Sequence, residues 1–147
     1  MPERTAARVH PILRSIVSVL AGILGGFIIL AGVEFANAAL FPLPASVDLE
    51  DTAAVKQALA HAPLASLILV IVGWCLSALL GAWVAARIAH ASKVLHGMIV
   101  GIFLLGAAIT DLLEFPHPLW FWICGLLIFL PASYIGSGLA LRKTEQQ

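Results

Sequence analysis

Charge is scarce in this chain. Of 147 residues, eight are Lys or Arg and eight are Asp or Glu, and the resulting 11% charged fraction is under half the roughly 25% of a soluble domain. That shortage excludes a solvated surface of ordinary size, and with it a basic platform for nucleic acid. Cysteine is nearly absent as well. Cys75 and Cys124 are the only two, and they fall in separate apolar runs at different depths, so they read as packing thiols and not as a disulfide. There is no phosphate-binding glycine loop, no nucleophile with a base at useful spacing and no HExxH or Cys/His metal pattern. No catalytic residue, metal or cofactor is therefore expected, and an enzyme is the less favoured class.

What is abundant is apolar surface: 61% of residues are hydrophobic and mean hydropathy is +1.03. A hydrocarbon core about 30 Å thick takes roughly 20 residues of helix to cross. Four runs meet that length, approximately from Ile12 to Phe41, Pro63 to Ala86, Val94 to Leu113 and Leu119 to Leu141. Stretches such as "LASLILVIVGWCLSALLGAWVAA" are apolar on every face, whereas a barrel strand would alternate. A backbone in lipid must satisfy its own hydrogen bonds. The expectation is an all-α integral membrane four-helix bundle, residues 1–147 forming a single transmembrane domain. Membrane lipids are its implied surroundings.

Lys and Arg are retained on the cytoplasmic side of a membrane. Arg4, Arg8 and Arg14 precede the first span, Arg87 and Lys93 join the second to the third, and Arg142 and Lys143 follow the fourth. Asp48, Glu50, Asp51, Asp111 and Glu114 take the other side. Both termini are thus expected in the cytoplasm. The three leading arginines, an apolar run and "ANA" at 36–38 also resemble a secretory signal with its cleavage site. The run exceeds the usual 7 to 15 residues and Glu34 interrupts it, which favours an uncut first helix.

The outer ends carry "FPLP" at 41–44 and "FPHP" at 115–118. Proline disfavours helix in the preceding residue and lacks the N–H of a continuing helix, so each signal is a stop. Superposing the two stops aligns Gly32 with Gly106 and Asn37 with Asp111, and "GAWVAAR" at 81–87 resembles "GSGLALR" at 136–142. The chain reads either as a parallel repeat of two helical hairpins or as two hairpins that simply need similar punctuation. The first outer loop carries its own short amphipathic helix, capped by Asp48 with Asp51 three residues on, Val55, Leu59 and Ala62 sharing one face. His61, His90 and His96 fall at loops.

Lipid gives helices no hydrophobic reason to associate, so small residues must allow close approach. Gly73, Ser77, Gly81 and Ala85 form such a row on the second span; Gly22 with Gly26 and Gly97 with Gly101 are GxxxG pairs, and Ala132, Gly136 and Ala140 line the fourth. These rows can build one bundle, or face a homodimer or larger membrane complex. Pro131 is expected to kink the fourth span. Trp74 falls near mid-membrane, where it packs against a small residue or donates its indole N–H to a partner such as Glu34.

Glu34 lies about two turns inside Pro42, or about 12 Å along the helix. An ionised carboxylate at such depth is costly, so it should face protein or water. Asn37 shares its face, Asp111 and Glu114 form an equivalent pair, and His117 follows. With Trp74, these residues are candidates for an outward-facing acidic vestibule for a proton, a cation or a basic substrate. The alternative is a structural role in which Glu34 is protonated or hydrogen-bonded within the bundle, with Asp111 and Glu114 in interfacial water. A metal at Asp111, Glu114 and His117 is disfavoured because Pro116 breaks the helical spacing.

The full-length pattern, with "LFPLP" closing the first span and "EFPHPLWFW" opening the last, resembles small uncharacterised four-span bacterial inner-membrane proteins. That resemblance implies a multi-pass protein of the inner membrane and carries no activity or site residue with it. The leading function that follows from the residues is a scaffold or interaction component acting through its glycine rows; the alternative is a small proton- or cation-linked transporter or channel. Topology is directly testable. In intact cells, an impermeant thiol reagent should modify a single cysteine placed at Glu50 and miss one placed at His90; the reverse result would invert the whole arrangement.

Overall fold

The computed structural model describes residues 11–48 and 50–142. Arg4, Arg8 and Lys143 lie outside them, and Arg142 is described as helix only. Every regular element is helical: α1 (Pro11–Leu40), α2 (Thr52–Ala60), α3 (Leu64–Ile88), α4 (Lys93–Glu114) and α5 (Leu119–Arg142). Four of them, α1, α3, α4 and α5, are long and apolar enough to cross a membrane. The chain is therefore a multi-pass helical membrane protein.

Both Phe-Pro-x-Pro segments terminate helices, α1 at Leu40 and α4 at Glu114. The two turns lie at the same end of the bundle, where Lys56 of α2 stands 5.9 Å from the ring centroid of Phe115. At the opposite, basic end, Arg14 Nε donates to the Ile88 carbonyl at 2.7 Å. This satisfies a C-terminal acceptor of α3 and places a cation where the helix dipole favours it. α4 then starts from Ser92, whose φ of 48° is the sole left-handed non-glycine backbone among the described residues. His96 is not a loop residue. It sits in the first turn of α4, and its Nδ1 pairs with the Ser92 carbonyl at 3.0 Å.

α3 is the central helix and packs against α1, α4 and α5. α4 also touches both α1 and α5, while α1 and α5 do not meet. In section the bundle is a rhombus with α3 and α4 on its short diagonal. The core of this rhombus sets many small side chains around a few large ones, Trp74, Val100, Leu104, Leu112, Phe121 and Phe129. Ser18, Gly22 and Gly26 are the buried residues of α1, and α3 buries Gly73, Ser77, Ala78, Gly81, Ala82, Ala85 and Ala86 beside Trp74. Larger residues such as Ile12, Leu24, Ile28, Leu127 and Ile135 are more than half exposed and face outward, where lipid would lie.

The contacts are between backbones. A Cβ on Gly22 would stand 2.6 Å from the Gly81 carbonyl oxygen, and one on Gly81 would stand 2.7 Å from the Gly22 oxygen. In the second hairpin, Gly97 and Gly101 of α4 lie directly against the hydroxyls of Ser137 and Ser133 of α5, and Gly136 lies against the Leu79 carbonyl of α3. Ser137 Oγ in turn donates to the Ser133 carbonyl at 2.8 Å, while Ser133 Oγ is buried without a partner among the described residues. Glycine is required at these points because any side chain would push two helix axes apart. Gly73 instead receives a side chain, Val33 of α1.

The burial pattern of α3 recurs in α5 at a constant offset. Ser66 corresponds to Phe121, Trp74 to Phe129, Ala78 to Ser133, Gly81 to Gly136, Ala82 to Ser137 and Ala85 to Ala140, all buried. Trp74 and Phe129 pack against one another with centroids 5.6 Å and ring planes 38° apart. The relation is broken by α1, which touches α4 but not α5. α5 runs through Pro131 without interruption. Cys75 is half-buried and Cys124 is exposed, so Cys124 does not pack in the core.

α2 begins one turn later than expected. Asp51, not Asp48, is its N-cap and accepts from the Ala53 N–H at 2.9 Å. Asp48 caps the preceding turn, accepting from the Glu50 N–H at 2.9 Å.

Close backbone packing predicts a sharp asymmetry among glycines. Gly81→Ala should destabilise the protein in detergent by about 1–3 kcal/mol, read as a lowered melting temperature, since neither opposing atom can rotate away. Gly32→Ala, with open space around it, should leave that temperature unchanged.

Candidate functional site: an acidic cavity between α1 and α4

Toward the proline end, α1 and α4 separate. The last tight contact between them is Gly26, whose Cβ would stand 2.9 Å from Leu104 Cδ1. Above it lies a cavity of about 310 Å³. Glu34 of α1 and Asp111 of α4 both line it, with Trp74 and Ser77 of α3, Thr110 of α4 and Phe129 of α5. The walls are otherwise Phe27, Leu30, Leu104 and alanines.

The polar groups around the two carboxylates are already engaged. Ser77 Oγ donates to the Trp74 carbonyl at 2.9 Å, and Thr110 Oγ1 donates to the Ala107 carbonyl at 2.6 Å. Neither the Glu34 nor the Asp111 side chain has a hydrogen bond or ion pair among the described residues. They are close enough for their charges to act on one another. Two carboxylates facing one apolar-walled volume repel, and water screens that repulsion poorly at this depth. A proton or a cation between them removes the conflict.

Trp74 itself is 3% exposed and serves as a wall. Its ring is held edge-on to Phe121 at 5.3 Å and tilted against Phe129, with Gly125 beneath it. Among the described residues its indole N–H makes no hydrogen bond, to Glu34 or otherwise.

The remaining sequence-identified residues lie elsewhere. Asn37 lines a neighbouring cavity that Glu34 also reaches, and its Oδ1 is buried without a partner among the described residues. Glu114 is exposed and lines neither cavity. His117 stacks on Phe121 at 4.6 Å with rings 10° apart, and its Nδ1 pairs with the Phe115 carbonyl at 2.9 Å. It acts on Asp111 only as a nearby charge. Among the described residues no group of three or more His, Cys, Asp or Glu is placed to hold a metal.

Sequence reasoning did not pick out Phe27, Leu104, Thr110 or Phe129. The Gly81–Gly136 alignment already pairs Trp74 with Phe129, so one of the four was within reach. No protein-family model, no curated protein and no solved structure matches this chain.

A polar cavity in this position should be wet, whereas the opposite face of α4 meets lipid. With Cys75 and Cys124 replaced by alanine, a cysteine at Ala107 should react with a water-soluble maleimide at a rate set by water access, and one at Ile109 should react far more slowly. Equal rates would mean that the cavity is dry.

Proposed function

We propose that this protein is a small proton- or cation-linked transporter or channel of a bacterial inner membrane, with both termini in the cytoplasm and the acidic cavity facing the periplasm. One observation carries the reading: carboxylates from two different spanning helices, Glu34 and Asp111, line one cavity without a side-chain hydrogen bond or ion pair among the described residues. Intramembrane carboxylates are costly and face a bundle interior or water when retained. Among the described residues the interior offers their side chains no hydrogen bond, so a structural role would have to rest on a protonated carboxyl.

The cavity is blind. Below Leu104 the helices meet through Gly22, Gly81, Gly97 and Gly136 with no room for a side chain, let alone an ion. Passage therefore requires movement, and α1, like α5, is packed against α3 and α4 alone.

A scaffold acting through its glycine rows has less behind it. Those rows meet helices of the same chain, so they are not free to bind a second protein. The alternative keeps only the outer, lipid-facing surface as its interface.

Purified protein in liposomes should carry a proton or cation flux that depends on pH. Glu34→Gln and Asp111→Asn should each reduce it at least about tenfold, as expected when one partner of a shared charge site is removed. Flux that persists in both variants would sink the assignment, as would the absence of any flux from correctly folded protein.

A further inference from the structure

A second and larger cavity, of about 820 Å³, lies under the first outer loop, between the proline end of α1, the C-terminal half of α2 and the start of α3. α2 packs on the backbone of none of the long helices. It forms a roof over this space, held by the Lys56 contact on Phe115 at its far side. Most of the lining is apolar: Ala38, Phe41, Leu43, Val47, Leu59 and the prolines of the first turn.

The polar groups that interrupt this lining form a consistent set. Glu34 contributes a carboxylate, which only accepts when ionised. Asn37 contributes a buried carbonyl oxygen that has no partner among the described residues. His61 has Nδ1 against the Gln57 carbonyl at 2.9 Å. A carbonyl can only accept, so Nδ1 carries the hydrogen and the neutral ring keeps Nε2 as an acceptor. Ser66, 6% exposed, adds a hydroxyl. Among the described residues no Lys or Arg lines the cavity.

The Asn37 amide and the Ser66 hydroxyl can donate as well as accept, so the set selects by charge: Glu34, with no basic residue in the lining to offset it, favours a positively charged donor. An alkylammonium has three N–H donors and no acceptor. The apolar remainder calls for a hydrocarbon tail, and Phe41 offers a ring face to a cation. A phospholipid fits poorly, because its phosphate would meet Glu34 with no basic residue to offset the repulsion. We propose that this cavity is a binding site for a single-chain amphiphilic amine, entering from the outer leaflet beneath α2. This deepens the vestibule reading by naming a substrate class for it, and rests on that reading in taking Glu34 as the anion that both cavities share.

The test is photolabelling of the full chain in phosphatidylcholine nanodiscs with a diazirine-bearing alkylamine, adducts being mapped by mass spectrometry. Adducts should concentrate in residues 37–47 and 58–66, and excess decylamine should abolish them while decanoate and phosphatidylethanolamine should not. Glu34→Gln should lower labelling about tenfold through loss of the charged acceptor. Ala38→Trp, which fills the cavity and leaves the carboxylate in place, should lower it as well. The proposal fails if a carboxylate-headed probe of the same length labels equally, if adducts spread over the lipid-facing residues of all four long helices, if phosphatidylethanolamine competes, or if neither variant changes the yield. Site-specific adducts without flux would remove the transport reading and leave this site standing; flux without such adducts would do the reverse.

Discussion

The structure depends on helices that touch through their backbones. In a lipid environment the solvent is as apolar as a leucine, so burying leucine gains nothing and association must come from contact itself. Contact is closest where there is least side chain. Gly22 against Gly81, Gly97 and Gly101 against serine hydroxyls, and Gly136 against the Leu79 carbonyl are the points at which α1, α3, α4 and α5 are fixed to one another. Most of the large aliphatic residues, which would form the core of a soluble bundle, lie on the outside, with Val100, Leu104 and Leu112 the buried exceptions.

That constraint also explains where the cavity is. Tight approach is confined to the basic half of α1 and α4, because their glycine pairs lie there. Toward the proline end α1 presents Phe27, Leu30 and Glu34, and α4 presents Leu104, Ala108 and Asp111. Side chains of mixed size cannot interdigitate as backbones do, and a space is left. The costly carboxylates occupy that space, where a proton, a cation or water can reach them.

The sequence was legible wherever one residue type has one physical consequence. Long apolar runs specified the four spans to within two residues at each end, and proline specified where α1 and α4 stop. Small-residue rows marked the contact faces, since four-residue spacing puts Gly73, Ser77, Gly81 and Ala85 on one side of α3. Choices between equivalent groups were not legible. Asp48 and Asp51 can both cap a helix, and only the completed turn at Glu50 shows which one does. The grouping of Glu34 with Asp111 was expected if the two outgoing helices are neighbours, but that Asn37, Glu114 and His117 do not line the same cavity depends on the angle between α1 and α4 and on the path after Pro116. Neither is written in local pattern. The cavity volumes are likewise a property of how four surfaces fail to meet.

One detail at the basic end has mechanical weight. α1 is gripped there twice, by the carbonyl of Ile88 on Arg14 and by the backbone of Gly81 on Gly22, while its other end carries Glu34 beside two open spaces. From Gly22 to Glu34 the axis extends about 18 Å. A swing of about 5° around the grip would displace the carboxylate by about 1.6 Å over that length, and the seat of Val33 on Gly73 is the contact that such a swing would have to loosen. A rod clamped at its foot turns a small rotation into a larger displacement at its tip.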